Sequence, residues 1–214
     1  MDSPPLPPLT IDGLLTAADN ALRALFAPAR AHRRPPDLPE AVPLSGTDRR
    51  RVAGLMRVDH AGEVAAQALY HGQALLARDA QTRDFLLKAA REEGDHLAWC
   101  EQRLHELGDR TSLLNPLWYA GSFAIGVAAA AVSDRLSLGF VTETERQVEG
   151  HLASHLERLP VDDQRSRRIL ETMQDDEAGH AEAALAAGAV ELPRPVRSLM
   201  RMTSKLMTGT AYWL

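Results

Sequence analysis

The motif Glu-x-x-His occurs twice in this chain, as Glu93-x-x-His96 and Glu177-x-x-His180, 84 residues apart. A further Glu precedes each: Glu63 lies 30 residues before Glu93, and Glu145 lies 32 residues before Glu177. All four carboxylates fall on apolar helix faces, because residues three, four and seven apart share a face. Glu63 shares its face with Met56, Ala66, Tyr70 and Ala74, and Glu93 with Leu86, Ala89, Leu97 and Cys100. Glu145 sits among Leu138, Val141, Val148 and Leu152, and Glu177 among Leu170, Met173, Ala181 and Ala184. Such faces turn into a core, where an unpaired carboxylate costs several kcal/mol. No Lys or Arg shares these faces, so a cation is the simplest compensation. Two divalent ions would nearly balance four carboxylates, with the imidazoles neutral. One Glu-x-x-His alone is ordinarily a solvated helix face. Two of them, each with an upstream Glu, are what a four-helix bundle uses to hold two metal ions.

The rest of the chain fits that bundle. Four long helical patterns cover residues 47–78, 82–107, 133–160 and 162–187, with Gly108 and Gly188 as stops. Shorter ones cover 10–26, 116–132 and 195–207. No run of alternating β-branched residues marks a strand. Five prolines between residues 27 and 45 make that stretch a linker or extended arm. Two parts are therefore expected: residues 1–45, a helix with a Pro-rich linker, and residues 46–214, the metal-binding helical domain. The first eight residues are Pro-rich and lack a basic start before an apolar run, so no secretory signal is expected.

The single cysteine, Cys100, excludes a thiolate cluster and an internal disulfide framework. Metal would bind through oxygen and imidazole, which suits iron, manganese or zinc. A net charge of −5 gives no reason to expect nucleic-acid binding. Residues 113–132 carry no charge, but Asn115, Pro116, two glycines and six alanines make them only mildly hydrophobic. A buried or membrane-surface helix is expected there rather than a span. At the C-terminus, Arg194, Arg197, Arg201 and Lys205 recur at helical spacing beside Leu199, Met202 and Leu206. Tyr212, Trp213 and Leu214 follow, as in an amphipathic helix that lies on a membrane.

Other residues have weaker signals. Asp59 and Tyr70 share the Glu63 face, which makes them candidates for supporting the metal ligands. Asp59 is expected to accept a hydrogen bond from a ligating His. His151-x-x-x-His155 has the helical spacing of a zinc pair, but Leu152 stands where a zinc protease has its Glu. His155 is expected on the surface, and His60 and His71 in structural roles.

The stretch Arg57-Val58-Asp59-His60-Ala61-Gly62-Glu63 resembles a signature of the 5-demethoxyubiquinone hydroxylase family, di-iron monooxygenases of ubiquinone biosynthesis. So do Glu93-x-x-His96, Asn115-Pro116-Leu117-Trp118, Glu143-Thr144-Glu145 and Glu177-x-x-His180, within a likeness running from about residue 50 to the end. The resemblance implies an all-α, ferritin-like four-helix bundle with additional membrane-facing helices. It implies two iron ions held by Glu63, Glu93, His96, Glu145, Glu177 and His180. Glu93 and Glu177 would bridge the ions, and Glu63 and Glu145 would be terminal. His151 matches a family His near the quinone pocket, although Gly150-His151-Leu152 stands where the family often has His-His-Tyr. The implied reaction hydroxylates the ring of demethoxyubiquinol with O2, using an external reductant such as NADH. The implied surroundings are a polyprenyl-tailed substrate, the cytoplasmic face of the inner membrane as a peripheral protein, and other ubiquinone-biosynthesis proteins as candidate partners. A ferritin-like peroxidase or ferroxidase is the alternative that shares the ligand set.

Overall fold

The computed structural model describes residues 5–214, and all regular structure among them is helical. The part of the Pro-rich start at residues 1–4 lies outside the described residues. In chain order the helices are α1 (Ile11–Phe26), α2 (Gly46–Leu76), α3 (Ala80–Glu106), α4 (Asn115–Val132), α5 (Asp134–Arg158), α6 (Gln164–Ala186) and α7 (Arg194–Ala211). Their ends follow local chemistry. Side chains of Thr10, Ser45, Asp79, Ser133 and Asp163 cap α1, α2, α3, α5 and α6 by accepting from first-turn N–H groups. Gly108 and Gly188 follow α3 and α6 with φ of 69° and 98°, a backbone that only glycine adopts without strain. Most helix ends fall within two residues of the sequence reading, and two differences bear on the packing. Ser45, not Thr47, caps α2, and α7 runs on to Ala211 rather than ending near residue 207.

Helices α2, α3, α5 and α6 form a four-helix bundle. α2 pairs with α3 and α5 with α6, and the two pairs face each other. One end of the core holds Val52, Leu55, Met56, Leu104, Leu152, Leu170 and Met173. The other holds Tyr70, Leu86, Ala89, Val141 and Ala184. On each helix the signature Glu falls between these two clusters, so the four carboxylates meet at mid-bundle.

α4 connects the two pairs in sequence and packs on α2 and α5, lying against α2 at unusually short range. A Cβ on Gly72 would stand 2.3 Å from the Phe123 carbonyl oxygen, and one on Gly126 would stand 2.2 Å from that of Leu69. The two glycines thus let the backbones touch. No described helix is long and apolar enough to cross a membrane. Nevertheless Leu117, Ile125 and Val132 on α4 remain exposed, as do Leu199, Met202 and Leu206 on α7 and most of the apolar side of α1.

The Pro-rich stretch after α1 is an arm strapped across α3 and α6. Ala29 N–H donates to Glu101, His32 N–H to Asp95, and the Arg33 guanidinium forks onto Asp176. The chain end is also fixed. Tyr212 packs its ring over Gly54, and its carbonyl accepts from buried Arg57, which also holds Asp109.

Candidate metal centre

The six residues chosen from the sequence converge. Ligand-type atoms of Glu63, Glu93, His96 and Glu177 all lie within 4.8 Å of one another, and so do those of Glu93, Glu145, Glu177 and His180. Glu93 and Glu177 belong to both groups, the positions that bridging carboxylates would take. His96 Nδ1 lies 3.1 Å from Glu177, 3.3 Å from Glu93 and 3.8 Å from Glu63. His180 Nδ1 lies 3.2 Å from Glu93, 3.3 Å from Glu177 and 3.9 Å from Glu145. Five of the six are buried and His180 is nearly so.

The polar atoms at this centre are not satisfied by one another. Both Glu93 oxygens, His96 Nδ1, Glu145 Oε2 and Glu177 Oε1 are buried without a hydrogen-bond partner. Buried polar groups in folded proteins are nearly always paired, so a cluster of orphaned acceptors facing inward fits cations. The four carboxylates and two imidazoles are a suitable oxygen and nitrogen donor set for two divalent ions.

Without cations, protons take over the compensation. Burial pushes Glu63 well above the usual carboxylate range. Burial, then repulsion from Glu177 and Glu93, does the same to Glu145. Glu93 goes the other way: burial opposes its ionisation, but the imidazoles of His180 and His96 outweigh it and hold the group low. Burial disfavours charge on both imidazoles, yet the surrounding carboxylates prevail. They raise His96 well above its ordinary value and push His180 up to about 12.

The far nitrogen of each His is fixed in a symmetric manner that the sequence reading missed. His96 Nε2 is 3.0 Å from Asp176, and His180 Nε2 is 2.9 Å from Glu92. Each acceptor immediately precedes the Glu of the opposite motif. That offset was visible as Glu92-Glu93 and Asp176-Glu177. Arg33 of the arm reinforces Asp176 and also lies 4.9 Å over the Trp99 ring, while Lys88 lies 3.3 Å from Glu92. Tyr70 hydroxyl donates to Glu145 Oε1, so Tyr70 does reach a candidate ligand.

Asp59 does not take the place expected of it. It is buried, but its neighbour is His155 Nδ1 at 2.8 Å rather than a His of the cluster. One helical turn from Glu63 points it toward α5, away from His96 and His180. The expectation for His155 is likewise overturned: it is fully buried, because its face of α5 turns onto α2 and carries Leu152 into the core. His60 and His71 are held low, at about 4, by burial. His60 sits beside Asn115 and His71 beside Tyr119.

A cavity of about 550 Å³ begins at Glu63 and runs between α2, α4, α5 and α7. Its walls include Ala66, Leu69, Trp118, Ile125, Phe140, Val148, Leu199 and Met207, so it is mainly apolar. His151 and Asp59 also line it. The small residues Gly62, Ala65 and Ala66 line it beside Glu63. A smaller hollow of about 360 Å³, lined by Arg33, Lys88, Glu92, Asp176 and His180, lies on the far side under the arm.

Known proteins resemble this chain closely. The model of the family described as "Ubiquinone biosynthesis protein COQ7" matches residues 50–211. A 3-demethoxyubiquinol 3-hydroxylase from Polaromonas naphthalenivorans is 60% identical over 203 residues, covering 94% of this chain and 97% of that one. Enzymes of the same name from Bordetella avium and Chromobacterium violaceum are 57% and 56% identical, over 95% and 94% of this chain and 95% and 98% of their own lengths. The likeness thus takes in all six converging residues, the cavity and most of the arm, and the chain belongs to the COQ7 family of ubiquinone biosynthesis proteins.

Proposed function

We propose that this protein is a 3-demethoxyubiquinol 3-hydroxylase that uses two iron ions and O2 in a ferritin-like bundle. The observation that carries this reading is the junction of two features. A closed set of orphaned carboxylates and imidazoles meets an apolar cavity of about 550 Å³, room for a ring and the start of its tail. A peroxidase or ferroxidase would need the first feature and has no use for the second.

Glu63, Glu93 and Glu177 with His96 would hold one iron, and Glu93, Glu145 and Glu177 with His180 the other. When bound, the irons would supply the electrons and Lewis acidity that dioxygen activation requires. In balance, the ring C–H becomes C–OH and the second oxygen atom leaves as water. Two electrons and two protons come from an external reductant, for which NADH is a candidate. The chain's own residues do the remaining work. Asp176 and Glu92 fix the orientation of His96 and His180. Tyr70 fixes Glu145. The cavity walls exclude water and hold the ring edge against Glu63, and His151 stands beside the bound ring. Positioning of this kind is worth several powers of ten in rate.

The tail would leave between α4 and α7, whose exposed Leu117, Ile125, Leu199, Met202 and Leu206 would rest in lipid. Arg194, Arg197, Arg201 and Lys205 on α7 suit an anionic surface such as the cytoplasmic face of the inner membrane. That placement makes the protein peripheral, drawing its substrate from the bilayer.

Metal analysis of variants tests the ligand assignment. Glu93→Ala and Glu177→Ala should each lose most of both irons, and Glu63→Ala chiefly one. Full iron in Glu177→Ala would refute the bridging role.

A further inference from the structure

Outside the six-residue centre, one more set of metal-ligating side chains converges among the described residues. His151 and His155 are four residues apart on α5, one turn of helix, and Asp59 faces them from α2. One ligand-type atom from each lies within 4.8 Å of the others. The His155 Nδ1 to Asp59 Oδ1 separation is 2.8 Å, and the two imidazole centroids are 4.0 Å apart. Asp59 and His155 are both more than nine-tenths buried.

An ordinary buried Asp–His pair would satisfy itself through an aligned N–H···O bond. This one does not. Asp59 Oδ1 and Oδ2, His155 Nδ1 and His151 Nε2 are all buried and all without a hydrogen-bond partner. Short separation without alignment is the same condition found at Glu93, His96 and Glu177. It is what results when lone pairs aim at a shared point rather than at each other.

We propose that Asp59, His151 and His155 form a separate, mononuclear site for a divalent cation of the zinc or iron(II) class. Two imidazoles and one carboxylate are a ligand set for these ions, and three protein ligands leave a coordination position open. The i, i+4 His pair is the spacing by which one helix presents two imidazoles to one ion. Both Asp59 and His151 also line the apolar cavity, so the open position faces the place where a water or a substrate oxygen would sit. The cation would stand about one helical turn, roughly 6 Å along α2, from Glu63.

Elemental analysis of the whole chain saturated anaerobically with Zn(II) tests this. Wild type should carry a third equivalent beyond the two of the Glu-x-x-His centre. Asp59→Asn/His155→Gln should lose that one alone. Glu93→Ala/Glu177→Ala should keep it, and zinc-edge X-ray absorption of that variant should report two imidazole nitrogens. His151→Ala, at a half-buried position, provides the same reading if the double variant at the buried pair fails to fold. Two equivalents in wild type, both lost from Glu93→Ala/Glu177→Ala, would overturn the proposal and leave Asp59 and His155 as a buried ion pair. The two metal readings fail separately, because each pair of substitutions touches only one ligand set.

Discussion

Replacing Asp176 by Ala removes the acceptor behind His96 and leaves the Glu-x-x-His ligands in place. His96 is fully buried and Asp176 is 25% exposed, so the Nε2–H would lose its partner and water could reach it only through the space Asp176 vacates. An unsatisfied buried donor costs about 1–3 kcal/mol. Removing an acceptor behind a ligating His typically weakens metal binding about 10–100-fold, which is about 1.4–2.7 kcal/mol. The two estimates agree. Glu92→Ala is the matched change behind His180. There the side chain of His180 is 11% exposed and that of Glu92 33%, so water can take over the bond and the loss should sit near the low end. Competition with a chromogenic chelator, read for each metal equivalent separately, should show Asp176→Ala weakening one equivalent and Glu92→Ala weakening the other by less. Arg33→Ala should mimic a fraction of the Asp176 effect, because Arg33 holds Asp176 in place from the arm. Unchanged affinity in Asp176→Ala would refute the orienting role.

The close α2–α4 approach makes a stability prediction. Gly126→Ala puts a Cβ 2.2 Å from the Leu69 carbonyl oxygen, so α4 must move outward by about 1 Å. Overpacking of that size costs about 1–3 kcal/mol, a fall in Tm of roughly 2–12 °C for a domain of this size. Gly150→Ala, with nothing nearby, should show no fall in the same thermal melt. In the metal-free protein, Glu63, Glu145, His96 and His180 all bind protons more tightly folded than unfolded. Their contribution is complete below the unfolded values, about 4.3 for Glu and 6.5 for His. It is lost as pH rises through the raised folded values, about 12 for His180. Above the unfolded histidine value, where His60, His71 and His151 no longer contribute, apo-protein should therefore lose stability from pH 7 to 9, whereas metal loading, which expels those protons, should become more stabilising over the same range. Parallel apo and loaded melting curves across that range would contradict this. Neutralising Arg194, Arg197, Arg201 and Lys205 together should weaken binding to anionic vesicles by on the order of 1 kcal/mol per charge. Turnover of a water-soluble quinol analogue should survive, and equal vesicle binding by the variant would reduce α7 to a packed basic helix.

The helices and the six converging residues were legible because both rest on one periodicity. A carboxylate repeated on an apolar helix face leaves few alternatives to a shared centre. Asp176 and Glu92 were missed because an acidic residue next to a motif looks solvated. Only the crossing of α3 and α6 brings each behind the other's His. His155 was misread for the opposite reason: its neighbours Ser154, Glu157 and Arg158 suggest surface, while its own face follows Leu152 inward. The shape of the cavity was not legible, since its walls come from four helices and depend on how far Gly72 and Gly126 let α4 approach α2.

The most direct test of the account is aerobic turnover of a short-chain 3-demethoxyubiquinol analogue under isotopically labelled dioxygen. The iron-loaded enzyme and a reductant are supplied, and the product is identified by mass. The account predicts a ring-hydroxylated quinol carrying one labelled oxygen atom, abolished in Glu93→Ala and Glu177→Ala. Oxidation of iron or peroxide consumption with no oxygen added to the ring would contradict it.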